Sequence, residues 1–345
     1  MQALVKYAPG PGNMEIREVP EPSPGAGQIK IKVGHAGICG SDIHIYHSDI
    51  AIPVRPPVTV GHEFSGVITQ LGEGVEGFCV GDRVVSQTAF SFCETCVYCR
   101  TGYYNLCPSR RTLGYWYDGI FAPYTVVPAD RVLKIPDGVS DVSAAMSEPL
   151  ACVCHAVYDL CRIVPGDLVL VTGSGAVGIM AMQVAKAHGA AVIITGTNAD
   201  EPRLAPAKQL GADLTVNIER ENLAEIITDH TAGNGADVVL ECSGAAPAID
   251  GALNLIKRQG YFTQIGLPGT KIEFDIAKIC FKEIRFTGSL GSIRSSWEQS
   301  LTLQAMGTVN LAPLADTHLP LREWKEAFRR FEAKEGCKVF LDPQG

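Results

Sequence analysis

The stretch LVLVTGSGAVGIMAMQVAKAHGA, residues 168–190, decides the fold. It opens on a run of apolar and β-branched residues, passes Gly173-x-Gly175-x-x-Gly178, and continues with apolar residues at helical spacing. That order encodes a buried strand, a glycine turn and an amphipathic helix. Glycines at such a junction let the backbone approach a pyrophosphate, which then rests on the helix N-terminus. Gly173, Gly175, Ala176, Val177 and Gly178 are therefore candidate dinucleotide contacts, with a purely structural glycine turn as the competing reading.

From that turn onward, strand and helix alternate to about residue 290. AVIIT, LTVNI, ADVVLECSG, GYFTQIGLP and a stretch near IRFTGS read as strands, and RLAPAKQLGA, ENLAEIITDH and PAIDGALNLI as helices. A doubly wound parallel sheet of roughly six strands is the expected result. The strand ends at Cys242-Ser243-Gly244 and Gly266-Leu267 point toward where a nicotinamide would lie, and Ser289 and Leu290 follow the last strand.

The second strand of such a sheet normally ends in an acidic residue that binds both ribose hydroxyls and selects NAD. Here it runs into Gly196, Thr197 and Asn198, with Arg203 further on. Without a carboxylate there, a 2′-phosphate is not repelled, and Thr197, Asn198 and Arg203 can donate to it. NADP(H) is the favoured cofactor. NAD(H) remains open if Asp200 or Glu201 reaches the ribose from a longer loop.

Upstream, residues 1–33 and 64–85 read as short strands broken by Gly and Pro turns, a β-rich domain. The expected division is 1–153, a dinucleotide-binding domain over 154–294, and a return of 295–345 to the first domain.

Two constellations in the β-rich part suit zinc. Cys93-x2-Cys96-x2-Cys99-x7-Cys107, in a lobe at about 90–110, offers four thiolates that can close a tetrahedral shell, the arrangement of a structural ion. The stretch AGICGSDIHIYH…VGHEF offers Cys39, His62 and Glu63, a sulfur, a nitrogen and an oxygen. Taken alone, the cysteine could be a small core residue and the histidine a hydrogen-bonded structural one. Glu148, in Ser147-Glu148-Pro149-Leu150, precedes an apolar helical run and could simply face the helix dipole.

Composition narrows the class. The chain is 46% hydrophobic and 19% charged, as an ordinary folded protein is, and at 345 residues two domains are expected. A net charge of −8 without a basic run argues against nucleic acid. No apolar run is long enough to cross a bilayer and the N-terminus lacks a signal-like core, so a cytoplasmic location is expected, with no membrane partner. The other seven of the twelve cysteines read as reduced core fillers.

With these residues assembled, the chain resembles the zinc-dependent medium-chain dehydrogenases from end to end. GICGSDIH, GHEF, the four-cysteine lobe, SEPL and GSGAVG carry the likeness. It is most similar to the sorbitol, polyol and threonine dehydrogenase group, which has an acidic motif like this Glu-Pro-Leu. Gly196-Thr197-Asn198 departs from the Asp usual in sorbitol dehydrogenases.

The resemblance implies an α/β fold, a Rossmann sheet beside a β-rich GroES-like catalytic domain, and two zinc ions per chain. It implies that Cys39 and His62 bind the catalytic zinc and that Glu63 is a fixed or exchangeable ligand. Glu148 would be the third ligand or hold a water, and Ser41 and His44 would form a proton relay. The implied reaction is reversible hydride transfer between a small secondary alcohol, such as a polyol, sugar alcohol or diol, and NADP(H) or NAD(H). A homo-oligomer, tetramer or dimer, is implied as well. The alternatives are a threonine-type amino-alcohol dehydrogenase using NAD, a zinc-free quinone-type reductase, and a non-catalytic NADPH-binding protein of the same fold. Tyr46, His47, Tyr115, Trp116 and Phe121 are candidate pocket residues or ordinary packing.

Overall fold

The strand Leu168–Thr172 is buried along its whole length and lies at the middle of a six-stranded parallel sheet. Ala191–Gly196 pairs on one side of it and Ala236–Glu241 on the other, so the strand order reverses at this point. Leu214–Asn217 extends the first side, and Ile256–Gln264 and then Arg285–Gly288 extend the second. Such a reversal leaves a crevice at the C-terminal strand ends, where ligands of doubly wound sheets bind. The helix Ala176–Ala187 buries Ile179 through Ala185. With both faces covered, these strands can be continuous apolar runs, as LVLV is.

The computed structural model describes all 345 residues, and they form two units. The parallel sheet belongs to Leu150–Ser292 together with Met306–Leu314. The other unit comprises Met1–Pro149, Ile293–Ala305 and Ala315–Gly345. The segment Met306–Leu314 departs from the expected return of 295–345 to the first domain. Its Asn310 exchanges hydrogen bonds with the Gln183 amide at 2.8 and 3.2 Å, which ties it to the helix Ala176–Ala187.

The first unit is built on Gln28–Gly37, in which Ile29, Ile31 and Val33 are completely buried. It pairs antiparallel with Glu63–Leu71, Tyr124–Pro128 and, near its end, Val339–Asp342. The helix Trp324–Glu332 adds Trp324, Ala327 and Phe328 to the same core. Each such aliphatic or aromatic side chain removed from water contributes about 1.5–3 kcal/mol. No helix is long and apolar enough to cross a membrane.

Candidate functional site

Cys39 stands at the N-cap of the helix Gly40–His47, just after the strand Gln28–Gly37 and the wholly buried Ile38. Asp42, three residues on, accepts a hydrogen bond from the Cys39 backbone N–H at 2.9 Å and so fixes the turn that presents the sulfur. The other end of this helix is held by Lys6, whose buried ammonium donates to Gly12 O at 2.7 Å and to Ser48 Oγ at 3.1 Å. A cation there suits the helix C-terminus. Neither Asp42 nor Lys6 stands out in the sequence as a site residue.

Glu63 opens the strand Glu63–Leu71 and His62 immediately precedes it. Gly61 holds the chain at φ +89°, and a Cβ at that position would lie 2.8 Å from the Phe121 ring. A side chain at Gly61 is excluded twice over, by conformation and by space. This turn sets His62 against Cys39, and one ligand atom from each of Cys39, His62 and Glu63 lies within 4.8 Å of the others.

The surroundings fit a metal. Asp42 is wholly buried, and its Oδ1 faces Nδ1 of His62 at 3.6 Å, too long for a hydrogen bond. Ser41 Oγ, Asp42 Oδ1 and His62 Nδ1 are buried without a hydrogen-bond partner. Burial, and after it the Glu63 charge, push the Cys39 thiol upward, so a thiolate here calls for a compensating cation. Lys338 supplies part of that compensation. Its buried ammonium pairs with Glu63 Oε2 and donates to the Ile38 carbonyl at 2.8 Å.

The remaining candidates divide. Glu148 is buried in the helix Ser147–Cys154 and lies outside the three-residue cluster, although its charge acts on Lys338. Ser41 and His44 occupy one helix face three residues apart, but His44 Nδ1 is bonded to Asp49 at 2.9 Å rather than to the serine. Tyr115 does adjoin the cluster, its ring centroid 5.4 Å from that of His62. Phe121 is wholly buried, Tyr46 packs on Trp324 and Phe328, and His47 bonds Glu332. Those three serve packing or surface contacts. Trp116 carries the guanidinium groups of Arg55 and Arg111 on its ring.

Cys93, Cys96, Cys99 and Cys107 converge within 4.8 Å of one another and form no disulfide. Their sulfur separations include 3.4 Å (Cys96 to Cys99), 3.6 Å (Cys107 to Cys93) and 3.9 Å (Cys93 to Cys99). A tetrahedron with zinc–sulfur bonds of about 2.3 Å has edges of about 3.8 Å, so the four fit that ion. Backbone N–H groups of Cys96 and Thr95 pull the Cys93 thiol down to about 6, toward the ligand form.

The glycine turn of the second unit is equally constrained. A Cβ on Gly178 would sit 1.8 Å from the Gly173 carbonyl oxygen, so the helix Ala176–Ala187 can start this close to the strand only with glycine there. Ser174 Oγ, buried and without a partner, lies in the turn beside Gly175 at the helix N-cap. An orphan hydroxyl at a helix N-terminus fits a phosphate or ribose. At the end of the second strand, Asp200 is buried, accepts from the Thr197 hydroxyl at 2.8 Å and faces Arg203 at 3.5 Å. The Asn198 N–H donates to Glu219 at 2.5 Å. On the other side of the crevice, Cys242 N–H bonds Thr172 O, and Ser289 N–H bonds Gln264 O, both at 2.9 Å. Leu267 and Leu290 are exposed.

Comparison with known proteins agrees with this geometry. Residues 25–137 match the model of the alcohol dehydrogenase GroES-like domain, and residues 176–305 that of the zinc-binding dehydrogenases. A sorbitol dehydrogenase of Halalkalibacterium halodurans is 46% identical over 99% of both chains. A D-arabitol-phosphate dehydrogenase of Enterococcus avium is 39% identical over 99% of this chain and 97% of its own. Among solved structures, a zinc-binding dehydrogenase of Sinorhizobium meliloti bound to NADP superposes with a TM-score of 0.90, at 32% identity and 99% coverage of both chains.

Proposed function

We propose that this chain, which belongs to the zinc-dependent medium-chain dehydrogenases, reversibly oxidises a secondary alcohol of the polyol class with a nicotinamide cofactor. The convergence of Cys39, His62 and Glu63 from separate elements carries the reading, and the polyol class is supported by the sorbitol and arabitol-phosphate dehydrogenase relatives. Cys39, His62 and Glu63 would hold the catalytic zinc, with Glu148 and Lys338 adjusting the charge around it. The four-cysteine cluster would hold a second, structural zinc.

Zinc, when bound, supplies Lewis acidity toward the alcohol oxygen, and nicotinamide supplies the two-electron acceptor for the carbinol hydride. The chain's own groups do the rest. Asp42 fixes the Cys39 turn through its N–H and sets its second carboxylate oxygen 3.6 Å from His62 Nδ1, where its charge would favour the imidazole side of the centre. Ser41 Oγ, which has no partner of its own, would accept the hydroxyl proton of the substrate and release its own toward the partly exposed His44 three residues on, which is paired with Asp49 rather than with the serine. Tyr115 walls the site beside His62.

NADP(H) is the preferred form in this proposal. Asp200 is turned back onto Thr197 and Arg203, the Glu219 carboxylate at the same strand end is occupied by the Asn198 N–H, and the Sinorhizobium relative was solved with NADP. Cytoplasmic location is supported by twelve cysteines that are all free. Pairing of two copies through the edge strand Arg285–Gly288, flanked by Phe281 at 78% and Ile276 at 61% exposure, is the supported route to a dimer or tetramer.

The decisive experiment is a panel of polyols, diols, polyol phosphates and L-threonine assayed with NADP⁺ and NAD⁺ in parallel, on the wild type and Cys39→Ala. Turnover of a polyol that disappears in a folded Cys39→Ala variant is expected. Equal turnover in both proteins overturns the proposed centre.

A further inference from the structure

Glu241, the last residue of the strand Ala236–Glu241, has no solvent exposure and no cation beside it. Its Oε1 accepts from Ser243 N–H at 2.9 Å, Gly244 N–H at 3.2 Å and the Thr172 hydroxyl at 3.1 Å, and also from the Ser243 hydroxyl. Its Oε2 accepts from Gly244 N–H at 2.9 Å and from the Gln264 amide. Its backbone carbonyl accepts from Ile265 N–H and Gly266 N–H, both at 2.8 Å. One side chain thus ties together the C-terminal ends of three strands, those ending in Thr172, Glu241 and Gln264.

All of these donors are neutral. Neutral donors leave the field of a carboxylate uncancelled, whereas a paired cation would cancel it at a distance. Burial, followed by the adjacent Glu241 carboxylate, pushes the Cys242 thiol well above its ordinary value. The position matters as well. In a doubly wound sheet the adenosine ribose meets the end of the second strand and the pyrophosphate meets the glycine turn. The other nucleotide then falls on the opposite side of the reversal, over Glu241 and Gln264.

Building on the cofactor reading above, we propose that Glu241 is a positioning residue that orders the nicotinamide side of the cradle and whose fixed negative charge favours the cationic, oxidised nicotinamide over the neutral, reduced one. Ser243, Gly244 and Gln264 transmit its ordering role. The charge itself sets which redox form binds better, and so where the equilibrium on the protein lies.

The test measures dissociation constants of NADP⁺ and NADPH, and of NAD⁺ and NADH, for wild type, Glu241→Gln and Thr172→Val by calorimetry. The quantity read is the ratio of the reduced-form constant to the oxidised-form constant. Glu241→Gln is expected to lower it by about three- to tenfold. A tenfold change corresponds to about 30 mV in the potential of the bound couple. Thr172→Val removes one neutral donor and leaves the charge less screened, so it should raise the ratio. It also serves as the test if Glu241→Gln does not fold.

If Glu241 is only a structural tie, both constants weaken by the same factor, the ratio stays put in both variants, and the proposal is overturned. If wild type binds none of the four nucleotides, the cofactor reading itself fails.

Discussion

Asp42 Oδ1 lies 3.6 Å from His62 Nδ1, and the same carboxylate receives the Cys39 N–H through Oδ2 at 2.9 Å. One buried acid therefore fixes the turn that presents the sulfur and sets its charge beside the imidazole of the proposed catalytic centre. Losing the partner of a ligating histidine typically costs 10–100-fold in metal affinity or activity. Asp42→Asn should weaken catalytic zinc by about that factor, as read by chelator competition, and leave zinc at the four-cysteine cluster in place. Unchanged affinity would remove Asp42 from the centre.

Cys99 belongs to the other cluster, where its sulfur lies 3.4 Å from Cys96 and 3.9 Å from Cys93. Cys99→Ser should cut the bound zinc to the complement of one of the two clusters and lower Tm by on the order of 5 °C. The remaining folded fraction should turn over at close to the wild-type rate. Metal analysis beside a thermal melt separates these effects.

Lys338 and Glu63 are both almost wholly buried, at 4% and 1% exposure. Removing one member of such a pair strands the other charge, at a cost of about 3–5 kcal/mol. Lys338→Met should therefore lower the urea midpoint markedly, and adding Glu63→Gln should restore part of the loss. A double variant no more stable than Lys338→Met would show that the pair is not coupled.

Arg203 sits behind the second strand with its guanidinium toward Asp200. If it serves a 2′-phosphate, Arg203→Ala should lower kcat/KM for NADP⁺ about tenfold or more and change that for NAD⁺ far less. Equal losses with both cofactors would assign it to holding the Asp200 loop alone.

Glu326 is held at about 2 by hydrogen bonds from Arg329 and then Arg330. Its folded value lies below the unfolded one, so this cluster stabilises the protein fully above the unfolded carboxylate range. The stabilisation is lost as pH falls toward 2. The stability difference between wild type and Glu326→Gln, measured in denaturant titrations, should be present at pH 7 and shrink steadily below about pH 4.

Local pattern determined much of this protein. LVLVT followed by GSGAVG fixes a strand, a turn and a helix because apolar period and glycine spacing act over a few residues. Four cysteines within fifteen residues declare their own cluster for the same reason. What only the tertiary structure decided is whatever depends on residues far apart in sequence. Asp42 carries no signal in its own stretch and acquires a place only when His62 is laid beside it. Lys338 is three hundred residues from the Ile38 carbonyl it bonds, with no local signal to mark it. Glu241 carries no signal inside its own strand, and becomes a tie only when Thr172 and Gln264 arrive on adjacent strands. Periodicity and turn chemistry are written in neighbouring residues, whereas burial of a charge beside its partner is created by chain closure, and no short stretch of sequence encodes it.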